Sequence, residues 1–180
     1  MFTEELLARY LKGESLEIVL EHSRHVAALA LAVCARLGLG AEELKFVEEA
    51  AMLHDIGVCR VHAPSIGLHG SQPYITHGVI GRAILESEGY PAHALICERH
   101  IGVGLTVADI DRQQLPLPRR DMVPVSLAEQ IICFSDLFYS KKPGRLAERK
   151  TSGRIRKKLA SFGDDKVAIF DTWLKRFDGV

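Results

Sequence analysis

Apolar positions recur three and four residues apart along almost the whole chain, the spacing of amphipathic helices. The pattern predicts a short first helix, capped by Thr3 and running to about Lys12. Gly13 interrupts it, and Ser15 with Glu17 and Glu21 opens a long helix that stops at Gly38 or Gly40. One stripe of that helix is Val19, His22, Val26, Leu29 and Val33. Glu42 and Glu43 favour the start of a third helix through its dipole. Its stripe Leu44, Val47, Ala51 brings His54 onto the buried face, and Gly57 ends it. Residues 58–75, rich in Gly, Pro and His, read as a loop, and a loop so long in a compact domain is usually functional or mobile. Thr76 is expected to cap a helix with His77, Ile80 and Ile84 on one face, ending at Glu88-Gly89. Pro91 suits the first turn of the next, where Ile96 and His100 share a face. Ser126 and Glu129 form a capping-box pattern for a helix through Ile132 to Asp136 and Tyr139. Two more helices are expected at about 144–160 and 164–177, the last packing Phe170, Trp173, Leu174 and Phe177. No alternating strand pattern of useful length, repeat or linker interrupts this. The fold class is all-α: one helical bundle over residues 1–180, with a core at about 15–140 and C-terminal helices at about 144–178.

At 180 residues such a bundle can bury a core without disulfides. No apolar run approaches the roughly 20 residues of a membrane span. Met1-Phe2-Thr3-Glu4-Glu5 carries acids where a signal peptide needs a basic start. Cys34, Cys59, Cys97 and Cys133 form no C-x-x-C pair, and three of them lie in apolar helical stretches, as reduced thiols do. A cytoplasmic protein with no membrane partner is expected. The formal net charge is zero, so no global basic field attracts nucleic acid. The distribution is uneven: between Lys141 and Lys158 stand nine Lys or Arg and one acid, Glu148. No aromatics interleave with these cations to stack bases, which argues against a nucleic-acid partner.

Histidine and aspartate recur as His22, His54-Asp55, His77, His100 and Asp136, each on or beside a predicted helix and on its apolar side or end. A single histidine in a helical stripe is usually an ordinary core or surface residue. Six such residues converging inside one bundle point to a metal centre. Imidazole with carboxylate suits divalent Fe, Mn, Zn, Ni or Co, and carboxylate also suits Mg. Asp55 can bridge two ions, with His22, His54 and Asp136 completing one and His77 and His100 serving the other. Two such ions would provide a nucleophilic water near neutral pH and clamp a phosphoryl oxygen, so Asp55 is also the candidate catalytic residue.

His54-Asp55-Ile56-Gly57 matches the HDIG signature, and His22-Ser23-x-x-Val26 matches a first ligand helix that favours His22 over His25. On these motifs the chain resembles the HD superfamily of metal-dependent phosphohydrolases in its binuclear version. Cys97-Glu98-Arg99-His100-Ile101-Gly102, Leu115-Pro116-Leu117-Pro118 and Asp136-Leu137-Phe138-Tyr139-Ser140-Lys141 are similar to small stand-alone HDIG proteins of bacteria and archaea. The resemblance implies hydrolysis of a small phosphate ester or anhydride, with a phosphorylated, nucleotide-like metabolite as partner. Many relatives carry Lys just after the HDxG motif, where this chain has Val58. No GYP signature is present, so cyclic dinucleotide hydrolysis is not implied. Two alternatives stay open: a di-iron oxygenase of the same fold, and a metal-containing module that binds a nucleotide without turning it over.

Arg60, Arg82, Arg99, Lys141, Lys142 and Arg145 are candidate phosphate contacts. Arg99 precedes a metal candidate, and Lys141 and Lys142 follow Asp136 by about one turn, so these three are the expected substrate-binding residues. Arg154 to Lys158 read as a solvated face around buried Ile155 and Leu159. His25 is expected at the rim of the site or on the surface, His62 and His69 in a solvated loop, His93 exposed, and Cys59 a passive thiol.

Overall fold

The computed structural model describes residues 2–177; residue 1 and residues 178–180, the ends of the expected domain, lie outside the described residues. The described chain is built from nine α-helices: α1 (Phe2–Tyr10), α2 (Gly13–Arg36), α3 (Ala41–Leu53), α4 (His77–Ser87), α5 (Pro91–Arg99), α6 (Val107–Gln113), α7 (Leu127–Leu137), α8 (Ser152–Ala160) and α9 (Asp164–Phe177). Helix α2 packs along α3 and α7, α4 along α5, and α8 against α9. Its apolar residues divide into two cores. One gathers the C-terminal half of α2 with α3, α7, α8 and α9 around Phe134, Phe170 and Phe177. The other joins α1, the first turns of α2, α4 and α5 around Leu6, Leu7, Leu53 and Leu85. His22 stands on α2 between Val19 of the second core and Val26 of the first, so the predicted stripe crosses from one core to the other.

Several boundaries differ from the sequence expectation. Thr3 lies inside α1, where its buried hydroxyl caps nothing. Gly57 does not end α3, which stops at Leu53 with His54 as its C-cap. Gly57 sits in a 3-10 turn over Ile56–Arg60, where an added Cβ would stand 2.0 Å from the His77 carbonyl oxygen and 2.4 Å from the Gly81 nitrogen. Only a residue without a Cβ lets this turn lie against the start of α4. The expected loop at 58–75 contains a two-stranded antiparallel hairpin, β1 (His62–Ala63) and β2 (Leu68–His69), flanked by further 3-10 turns. Thr76 does not cap α4, since its own backbone is already helical and its hydroxyl donates to the Pro73 carbonyl.

Helix α6 escaped the periodicity because it has only two turns, although Thr106 and Asp109 form a capping box that was readable. The predicted 144–160 helix begins only at Ser152, where the Thr151 hydroxyl accepts from the Arg154 N–H. Residues before it fold back over the end of α7, with the Lys150 N–H donating to the Phe138 carbonyl at 2.8 Å. By length and composition α2 is apolar enough to cross a membrane, contrary to the reading of its sequence; 56% of its most apolar window is buried inside the bundle.

Gly57→Ala is expected to cost about 1–3 kcal/mol, because the clash is with backbone that cannot swing aside. Thermal unfolding should show a fall of several degrees, against no loss for Gly153→Ala on α8, where nothing stands within 4 Å. Elsewhere, buried Asp109 pairs with Lys166 and ties α6 to α9. Burial opposes its charge, but Lys166 and Thr106 win and lower its pKa from 3.8 to about 2. A depressed carboxylate contributes stability above its ordinary range and loses it as pH falls through the folded value. The Tm difference between the protein and Asp109→Asn should therefore be constant near neutrality and close as pH falls from about 3.8 to about 2.

Candidate metal centre

Three imidazoles of the series are aimed by their own helix ends. The Nδ1 atoms of His54, His77 and His100 lie 2.6, 2.6 and 2.7 Å from the carbonyl oxygens of Ala51, Tyr74 and Cys97. A carbonyl only accepts, so each Nδ1 carries a proton and each ring turns its Nε2 inward. His22 reaches the same point from the middle of α2, fully buried.

These nitrogens converge on the Asp55 carboxylate, which is fully buried. Its Oδ2 lies 3.3 Å from His22 Nε2 and 2.9 Å from His54 Nε2. Asp136 Oδ1 closes that group at 3.0 and 3.6 Å from the same two nitrogens. The other Asp55 oxygen, Oδ1, lies 3.5 Å from His77 Nε2 and 3.6 Å from His100 Nε2, and the two nitrogens are 3.1 Å apart. Two ligand sets thus share one carboxylate: His22, His54, Asp55 and Asp136 on one side, Asp55, His77 and His100 on the other.

The donor set fits divalent ions. Ligand atoms about 2.0–2.2 Å from a tetrahedral or octahedral ion stand roughly 3–3.6 Å from one another, the spacing seen here. Both Asp55 oxygens, both His22 ring nitrogens and His54 Nε2 are buried without a well-formed hydrogen bond, a costly arrangement that a cation relieves. Facing acceptors on His77 and His100 pose the same demand. Electrostatics agree. Burial favours the neutral acid, yet His54 and Lys141 hold Asp55 well below the carboxylate range, and His22, His54 and Lys141 do so for Asp136. Burial would discharge His54, but Asp55 and Asp136 raise its pKa to about 10. Across the carboxylate, burial and neighbouring His100 push His77 down to about 3.

His22, His77, His100 and Asp136 open onto a cavity of about 570 Å³, within the range of small-molecule sites. Lys141 lines it with Nζ 2.6 Å from Asp55 Oδ2 and 6.0 Å from the centre of the Tyr74 ring. The other two expected substrate residues are not brought there. Lys142 lines a separate depression with His62 and Pro143. Arg99 faces Glu129, its Nη1 donating to both carboxylate oxygens at 3.0 and 3.1 Å. Neighbouring Glu98 is buried beneath Arg82 and Arg120, and the Cys97 thiol donates to the Leu53 carbonyl. The run Cys97-Glu98-Arg99 therefore locks α5 in place and so aims His100. Arg145 pairs with Glu148.

Four cavity cations escape the sequence reading: Lys150 and Lys166, which it does not single out, and Arg154 and Lys158, which it places on a solvated face. For Arg154 and Lys158 a signal was present. Their i, i+4 spacing beside buried Ile155 and Leu159 was the available signal. His25 stacks on Tyr139, itself a cavity residue, at 5.3 Å. His93 is half-buried against Phe46 and Tyr90, not exposed.

An all-α bundle with histidines and aspartates converging at its centre defines a helical metal-binding site. The chain belongs to the HD domain family, whose profile matches residues 19–139. It is 36% identical over 132 residues to an uncharacterised protein of Methanocaldococcus jannaschii, covering 70% of this chain and 69% of that one. It is also 31% identical over 93 residues to a tRNA (cytidine(56)-2'-O)-methyltransferase of Picrophilus torridus, covering 51% of this chain and 24% of that protein.

Elemental analysis after equilibration with Mn²⁺ and gel filtration should find about two ions per chain. His77→Ala should retain about one, because Asp55 still closes the other set, and Asp55→Ala should lose both.

Proposed function

We propose that the chain is a phosphohydrolase that uses two divalent ions on a small, nucleotide-like phosphate ester or anhydride. The observation that carries this reading is the buried Asp55 carboxylate, each oxygen facing its own set of imidazoles, behind the His22, His77, His100 and Asp136 side chains that line a cavity walled by cations. In it His22, His54 and Asp136 would hold one ion and His77 and His100 the other, with Asp55 common to both sets. Divalent ions held there supply Lewis-acid charge and a nucleophilic water at neutral pH. Lys141 takes the part of the lysine absent at Val58. Burial opposes its charge, but Asp55 and Asp136 hold its pKa above the ordinary lysine range, so it serves as a fixed cation for a phosphoryl oxygen and not as a proton donor. Leu105, Leu115 and Phe162 offer an apolar wall that excludes water from the bound ester.

Phosphate release from a panel of nucleotides and sugar phosphates, with Mn²⁺ restored, tests the reading. Asp55→Ala should fall to the protein-free rate while keeping its helical circular dichroism. Lys141→Met should raise KM roughly tenfold or more, the size of one charge-assisted contact, while Lys142→Met stays within about twofold. Oxygen consumption by iron-loaded protein without phosphate release would favour the oxygenase alternative.

A further inference from the structure

The cavity extends beyond the stretch that the HD profile matches. Past residue 139 it is lined by Lys141, Lys150, Arg154, Lys158 and Lys166. These five cations are not equivalent. Lys166 is buried and neutralised by Asp109, and Lys141 is held by Asp55. Among the described residues Arg154 pairs only with Glu148, at 3.4 Å, an acid that Arg145 shares at 3.7 Å. Lys158 makes no ion pair among the described residues. Lys150 is fixed, its ammonium donating to the Leu137 and Tyr139 carbonyls, which leaves one N–H undirected.

Three cations with one shared acid thus stand together on one wall. Arg154 and Lys158 are four apart on α8, a like-charge spacing that weakens a helix. Burial, helped by Lys158, Lys141 and Arg154, lowers the Lys150 pKa to about 8 against the opposing pull of Asp136. An anion bound there would relieve all three.

We propose that Lys150, Arg154 and Lys158 form a second anion subsite, so that the ligand of this cavity carries at least two phosphate groups. One sits at the His/Asp cluster with Lys141, and the other at the α8 wall. The assignment of the first phosphate rests on the hydrolase reading; the second subsite depends only on α8 and the turn before it. A simple phosphate monoester would leave that wall unsatisfied.

Calorimetric titration of the whole chain, EDTA-treated and Mn²⁺-loaded, with inorganic phosphate, methylenediphosphonate and adenosine 5′-(β,γ-imido)triphosphate tests this. At least one polyphosphorylated probe should bind about tenfold or more tightly than phosphate. In Arg154→Gln/Lys158→Gln that advantage should shrink by about tenfold in both metal states, with phosphate affinity and manganese content within about twofold of the parent. Lys157→Gln/Lys175→Gln removes the same charge from exposed positions outside the cavity and should leave the advantage intact. The subsite is overturned if neither probe is preferred, if both double variants lose equally, or if phosphate binding falls as far as that of the probes. If the α8 variant behaves as stated but no ester is ever hydrolysed, the subsite stands and the hydrolase reading falls. Hydrolysis of monoesters with no α8 effect gives the reverse.

Discussion

A carboxylate buried among imidazoles is the constraint around which this molecule is arranged. Asp55 is fully buried, and neither oxygen has a well-formed hydrogen bond. An ionised group taken out of water demands compensating charge. Four histidines and Lys141 surround it from α2, the end of α3, α4, the end of α5 and the segment after α7. Each of those elements must therefore keep both its position and its rotation. The two apolar cores fill the space on either side of this polar seam, and His22 and Asp55 stand at their junction.

Precision at the seam comes from groups that touch no ligand. Three imidazoles are aimed by carbonyls of their own final turn or of the turn just before them, so the tautomer follows from helix geometry. Gly57 lets the turn after Asp55 lie against α4 and so sets the distance from the carboxylate to His77. Glu98 and Arg99 spend their charge on Arg82, Arg120 and Glu129, which holds α5 to its neighbours. Charged residues beside a ligand are thus not themselves evidence of substrate contact. Here Glu98 and Arg99 are structural, while Arg154 and Lys158 of sequence-distant α8 line the cavity.

Helix periodicity and the His/Asp series were legible because both are local properties. A stripe three and four apart states which face is buried, and six metal-type residues on such faces state that they meet. This was enough for an all-α fold and for the residues of the cluster. Features below the scale of a helical stripe were not legible from periodicity: two-turn α6, the two-residue strands, and the fold-back of residues before α8 onto α7. Thr106 and Thr151 carried readable caps, but caps without a long apolar stripe are weak signals.

What the chain determined by itself is the set of histidines and aspartates that meet in the cluster and the helices that hold them, since both follow from residue type and spacing. Only the tertiary structure decided that Asp55 turns one oxygen to each ligand set, that Arg99 is taken by Glu129 and Lys142 lies off the cavity, and that Lys150, Arg154 and Lys158 share its wall. The physical reason is that a charge is defined by its partners. Those partners lie 30 residues away for Arg99 and 86 for Lys141, distances at which only packing says who meets whom.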